Sequence, residues 1–120
     1  MSTRLTVRLD FDDQRRLGPG KVALLEAIKR HGSIAAAGRE FGMAYRRAWL
    51  LVDDLNHMFA EPLVTAKGGG RAGGGAELTT LGEEVVQGYR AVENKLRLNA
   101  ASDIKKLERR LATARSATPR

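Results

Sequence analysis

Lys67 to Leu78 reads KGGGRAGGGAEL, with six glycines in the eight positions from Gly68 to Gly75. Gly68, Gly70 and Gly73 satisfy G-x-G-x-x-G, a spacing that can bring backbone N–H groups against a pyrophosphate. That chemistry needs a strand before the glycines and a helix opening directly after them, because the helix N-terminus holds the anion. Here LVTA precedes the glycines, but AEL follows, and a helix begins only at Thr79 or Thr80. No G-x-x-x-x-G-K-[ST] pattern occurs either. The remaining reactive groups are scattered. His31 and His57 are the two histidines, both at helix ends and without a partner at metal-ligand spacing. Asp53–Asp54 and Glu83–Glu84 are helical neighbours, which diverge by about 100° and make no acid/base pair. The serines sit in no nucleophile elbow. There is no cysteine for disulfide or thiolate chemistry. These observations predict a protein that is not an enzyme and takes no metal or other cofactor. The glycine loop is then read as a basic hairpin tip.

The elements that must carry such a tip can be read from periodicity. Leu5, Val7, Leu9 and Phe11 alternate with polar residues and predict a half-buried strand, followed by a polar loop DDQRRLG. GPGKVALLEAIKRHG has Pro19 near a helix start and Gly32 past its end. Ser33 is a good N-cap for a short second helix through Phe41. AYRRAWLLVDDLNHMF is a longer third helix, ended by Pro62, and LVTA and AEL are short strands flanking the glycines. Thr79, or Thr80 with Glu83, then starts a long helix that continues or restarts after Ser102. The division expected is 1–78 as one folded unit, 79–112 as the long helix and 113–120 as a disordered tail. The order describes a winged helix-turn-helix, mainly α with a small β wing.

Composition agrees with a nucleic-acid partner. The 120 residues carry a formal charge of +7, which favours double-stranded DNA first and an anionic membrane surface second. Residues 1–32 hold seven basic and four acidic groups, residues 101–120 six and two, and residues 33–100 eight of each. A DNA site in the middle therefore depends on where its arginines point. The N-terminus lacks the apolar core of a signal peptide, and no stretch is apolar enough to span a bilayer, so a cytoplasmic protein without membrane contact is expected.

In a helix-turn-helix the turn needs a glycine and the crossing needs small residues. Gly42 fits the turn and Gly38 the crossing, with Ala37, Phe41, Met43, Ala48 and Leu51 expected to face inward. On the third helix, Ala48, Leu51, Val52 and Leu55 point to the core and Arg46 falls nearly opposite, with Arg47 on one edge and Tyr45 and Trp49 on the other. A lone tryptophan among apolar neighbours is read as packing. Arg46, Arg47 and Tyr45 are the groove-side candidates, and Lys67 and Arg71 the phosphate contacts of the wing. Val85, Tyr89, Val92 and Leu96 form a stripe that predicts a homodimer, and Ile104, Leu107 and Leu111 prolong it. The alternative partner is a larger regulator paired with this helix as a heterodimer.

GSIAAAGREFGMAYRRAWLLVDDLN, the following EPLV, the glycine-rich loop and ELTTLG resemble the N-terminal DNA-binding domain of the molybdate-responsive (ModE) regulators over about residues 3–96. The LysR-type regulators share the helix-turn-helix and L-T-x-x-G more loosely. The resemblance implies a winged-helix transcription factor, dimeric through its long helix, with Ser33 and Tyr45-Arg46-Arg47 on the DNA side. Ala44 stands where the family often has serine, and Gly38 where it has alanine. The molybdate-binding domains that follow in full-length members have no counterpart here, so the expectation is a solitary DNA-binding domain to which molybdate sensing does not carry over.

Overall fold

Pro19 presets the first helical turn, and Gly32 ends the helix at φ 68°, with its N–H on the Ile28 carbonyl. Between them α1 (Pro19–His31) buries Val22, Leu24, Leu25, Ala27 and Ile28. These elements belong to a computed structural model that describes residues 3–67 and 75–113. Ser33 caps α2 (Ile34–Glu40) by accepting the Ala36 N–H at 3.1 Å. The chain then turns through Gly42, at φ 68°, a conformation that a β-carbon disfavours, and enters α3 (Tyr45–Met58). A β-carbon on Gly38 would lie 3.0 Å from that of Ala48, so this crossing is tighter than alanine at 38 would allow without a shift.

Ala37 and Ala48 are buried and Met43 and Leu51 half-buried, as the turn pattern requires. Phe41 corrects that pattern. It is exposed, because its N–H bonds the Gly38 carbonyl in a tightened last turn that takes the side chain off the helical face.

The N-terminal reading also needs correction. The alternation Leu5–Phe11 does not form one strand: β1 (Leu9–Asp10) pairs antiparallel with β2 (Arg16–Leu17), Leu9 opposite Leu17. The expected polar loop is thus half of a hairpin. Asp12 closes it by accepting the N–H groups of Gln14 and Arg15. Val7 and Leu17 are buried, whereas Phe11 stays largely exposed and meets Phe59 edge-on at 5.9 Å.

β3 (Val64–Lys67) and β4 (Gly75–Leu78) form the second antiparallel pair, with Val64 opposite Leu78 and Lys67 opposite Gly75. Thr79 then caps α4 (Thr80–Arg109), its Oγ1 accepting the Gly82 N–H. α4 is unbroken for 30 residues, so it continues through Ser102 and does not restart there. Three helices, a two-stranded wing and a long C-terminal helix make a winged helix-turn-helix.

The wing is held from two sides. Asn56 on α3 accepts the N–H groups of Leu63 and Val64 at 2.8 and 3.0 Å and donates to the Val64 carbonyl at 3.1 Å. Thr79 donates its N–H to the Leu63 carbonyl and its hydroxyl to the Pro62 carbonyl. A β-carbon at Gly82 would sit 2.3 Å from the Leu63 oxygen, so only glycine lets the first turn of α4 rest on the wing base. These contacts explain physically why EPLV and LTTLG belong together.

The core runs from α1 through Leu55, Leu63 and Ala76 to Tyr89. Tyr89 donates its hydroxyl to the Val7 carbonyl at 2.5 Å, and burial, reinforced by Glu93, raises its phenol above the ordinary value. Arg90 bridges Glu26 on α1 and Glu93 on α4 at 2.7 and 2.6 Å, and its hydrogen bond lowers the Glu26 carboxyl. Asn56→Ala leaves two N–H groups of the wing base without an acceptor. It should destabilise the fold by about 2–4 kcal/mol in urea denaturation, and Asn56→Asp, which keeps the acceptor, by less.

Candidate nucleic-acid interface

Ion pairing decides which cations are available. Arg8 and Arg16 meet Asp10, Arg15 meets Asp12, Lys21 meets Asp54 at 2.7 Å, Lys29 meets Glu83 and Arg30 meets Glu40. The basic excess of residues 1–32 is therefore largely neutralised in place. Arg15, helped by two backbone N–H groups, pulls the Asp12 carboxyl down to about 2. Arg30, and after it His31, lowers Glu40, which ties the end of α1 to the end of α2. His57 bonds the Asp53 carbonyl on its own helix. Among the described residues Arg4, Arg39, Arg46, Arg47, Lys67 and six cations from Lys95 to Arg110 make no ion pair, and no cluster of three or more acidic, histidine or cysteine side chains could hold a metal.

Three of these free cations lie on the elements predicted to meet DNA. α3 buries Ala48, Val52, Leu55 and Met58, which turns Arg46 outward. Arg47 is exposed at the other edge of the helix. Lys67 is exposed at the end of β3. Ser33, Tyr45, Ala66 and Gly75 line one cleft of about 300 Å³, so the starts of α2 and α3 converge with the wing. Their approach is fixed by the Ala76 N–H on the Gly32 carbonyl at 2.9 Å, and a β-carbon at Gly75 would lie 2.4 Å from that oxygen. Ser33 uses an oxygen lone pair for the α2 cap, which leaves its hydroxyl hydrogen free to donate. Arg71 lies outside the described residues, as do residues 114–120 of the expected 113–120 tail.

Trp49 corrects the packing assignment. It is on the flank of α3 facing the wing and is exposed, because Ala48, Val52 and Leu55 already fill the core side. The signal was its i,i+4 spacing from Tyr45. The Asn56 clamp has no signal in the sequence, since nothing local distinguishes it from a solvated asparagine on the helix surface. Of the stripe expected to dimerise, Tyr89 is buried within its own chain and Val85 packs against the same core, so these two are already covered. Val92 is half-buried and Leu96 exposed. A hollow of about 500 Å³ is lined by Asp12, Asp13, Asp54, Arg15 and His57, and its three carboxylates make it a poor phosphate site. Among the described residues no helix is long and apolar enough to cross a membrane.

Helices α2 and α3 joined at a glycine turn, with a wing bonded to the start of α2, define a winged helix-turn-helix protein extended by a long helix. This stretch is homologous to the ModE regulators and the ModE-like MopA and MopB proteins. It is 53% identical over 78 residues to the molybdenum-pterin-binding protein MopB of Rhodobacter capsulatus, covering 65% of this chain and 29% of that protein. It is 43% identical over 94 residues to the molybdenum transport protein ModE of Azotobacter vinelandii, covering 77% and 35%. The DNA-binding transcriptional dual regulator ModE of Escherichia coli (strain K12) is 30% identical over 89 residues, covering 74% and 34%. The chain thus spans about a third of the length of these relatives. No protein-family model matches it.

Ala44 occupies the N-cap of α3 without a side-chain cap, which leaves an N–H of the first turn without the partner a serine would supply. Ala44→Ser should therefore raise stability by about 1 kcal/mol in urea denaturation.

Proposed function

We propose that the protein is a sequence-specific DNA-binding transcriptional regulator acting as a homodimer, with α3 in the major groove and the wing on the backbone or minor groove. The observation that carries this reading is the convergence of the starts of α2 and α3 with the wing, on elements where Arg46, Arg47 and Lys67 lack carboxylate partners. Regulation of transcription is named for the Escherichia coli relative, and the shared region here contains the whole helix-turn-helix and wing. In this reading Arg46 contacts a base edge, a role for which its outward position in the first turn of α3 suits it. Arg47, Lys67 and Arg71 contact phosphates, with Ser33 and Tyr45 donating hydroxyl hydrogens at the groove edge. The acids of α3 sit two turns further on, away from its leading end.

The second half of α4 provides the dimer contact. Leu96, Ile104 and Leu107 recur at helical spacing, Leu111 follows just past the helix end, and all but Ile104 are exposed. Residues 3–7 lie along the same helix, with Thr3 donating to Glu108 and the Val7 carbonyl accepting from Tyr89, so the N-terminal segment borders the interface. Residues 1–78 are the DNA-binding unit, packed on the first turns of the 79–112 helix, whose remainder joins two copies. A two-fold dimer would present two copies of α3 to successive turns of one DNA face.

Arg46→Ala should cost about 1–3 kcal/mol on a specific duplex and relax selectivity at one base pair, read by fluorescence anisotropy against scrambled DNA. Lys67→Ala or Arg71→Ala should weaken all duplexes alike and reduce the salt-dependence slope by about one. Equal losses from Arg46→Ala on specific and scrambled DNA would reject the groove assignment. Leu96→Glu with Leu107→Glu should yield a folded monomer by sedimentation at micromolar concentration, where the unsubstituted chain is a dimer. A monomeric unsubstituted chain that pairs only with a longer regulator would instead establish the heterodimer.

A further inference from the structure

The outward face of α3 is unusually apolar for a helix that meets water. Tyr45 is 56% exposed, Trp49 45% and Leu50 45%. At 100° per residue Trp49 and Leu50 follow Arg46 at i+3 and i+4, so they straddle its direction one turn deeper along the helix. Tyr45, Arg46 and Trp49 line one shallow hollow. Beyond this patch the face turns acidic: Asp53 is tied to His57, and Asp54 to Lys21. The apolar contact is therefore confined to the first two turns, the part of α3 beside the start of α2 and the Ala66–Gly75 end of the wing.

Isolated exposed apolar residues need no explanation, but three within about 140° of the helix surface, flanking an unpaired arginine, form a surface with a definite chemistry. It offers one strong donor fork bordered by hydrocarbon. The major groove contains one apolar group, the thymine C5-methyl, and the donor-accepting edge that best suits an arginine is guanine O6 and N7.

We infer that the α3 face reads thymine methyl groups, with Trp49 and Leu50 packing against methyls adjacent to the base contacted by Arg46. This rests on the DNA-binding reading above and adds the class of base-pair sequence that the site selects. Tyr45, nearer the wing, lies at the groove edge, and its hydroxyl reaches the backbone there. A partner protein is the poorer occupant of this patch, because the free cations Arg46 and Arg47 stand in its leading turn and favour an anionic surface.

The test uses the full chain and a duplex enriched by it from a random library. Each thymine is replaced singly by deoxyuridine, which removes the methyl and leaves the hydrogen-bonding edge intact. At one or two positions per half-site, uracil should lower affinity about three- to fivefold, the effect of one methyl group no longer withdrawn from water. Trp49→Ala and Leu50→Ala should each bind the thymine and uracil duplexes alike at one such position, and Trp49→Phe should retain part of the discrimination. Both side chains lie outside the core, so circular dichroism of the variants should be unchanged. Indifference of the unsubstituted protein to every uracil, or full discrimination retained by both alanine variants, overturns the inference while leaving DNA binding intact. Failure to enrich any sequence overturns the DNA-binding reading, and this one with it.

Discussion

The three hydrogen bonds of the Asn56 side chain hold the wing to the helix that it must accompany. A two-stranded hairpin is marginal on its own in water, so β3 and β4 need an external scaffold. Asn56 supplies it from α3, and Thr79 with Gly82 supplies it from α4. Leu63 is gripped on both sides, its N–H by Asn56 and its carbonyl by Thr79. The wing and the leading turn of α3 are therefore parts of one body. Any partner that touches both meets a surface whose spacing is already set.

Electrostatics act on the same surface by subtraction. The exposed pairs around β1, β2 and α1 are individually worth little to stability. Their effect is to leave those regions locally near neutrality, while Arg46, Arg47 and Lys67 keep their fields. Unpaired positive charge thus remains on α3 and at the end of β3, as it does on the distal half of α4, although residues 33–100 carry no net charge by count.

α4 changes character along its length. Its first turns close the core through Leu81, Val85, Val86 and Tyr89, and Arg90 anchors it to α1 through Glu26. Past Glu93 it leaves the globular part with its leucines uncovered. A single continuous helix thus links the packing of the winged unit to an exposed leucine surface. Rotation of that helix about its axis would have to disturb the buried Tyr89 bond to Val7.

The local rules of the chain were enough for the helices and the turn. Pro19, Ser33, Gly42 and Thr79 act through their own backbone and the next few residues, so their positions can be read without the fold, and the same holds for the outward direction of Arg46. Elements that depend on distant partners could not be read. The β1–β2 hairpin is two residues per strand, too short for periodicity to mark, and it exists because Asp12 closes it and α1 packs beneath Leu17. Tyr89 looked like interface because a stripe shows only that a face is apolar; the approach of Val7 from 82 residues away decides that its own chain covers it. Trp49 was left exposed by competition, since a core side already filled by Ala48, Val52 and Leu55 has no room for an indole. Sequence by itself determined which segments are helical and which residues are charged. Tertiary packing decided which of those charges remain unpaired and which apolar faces remain uncovered, because both depend on neighbours far away along the chain.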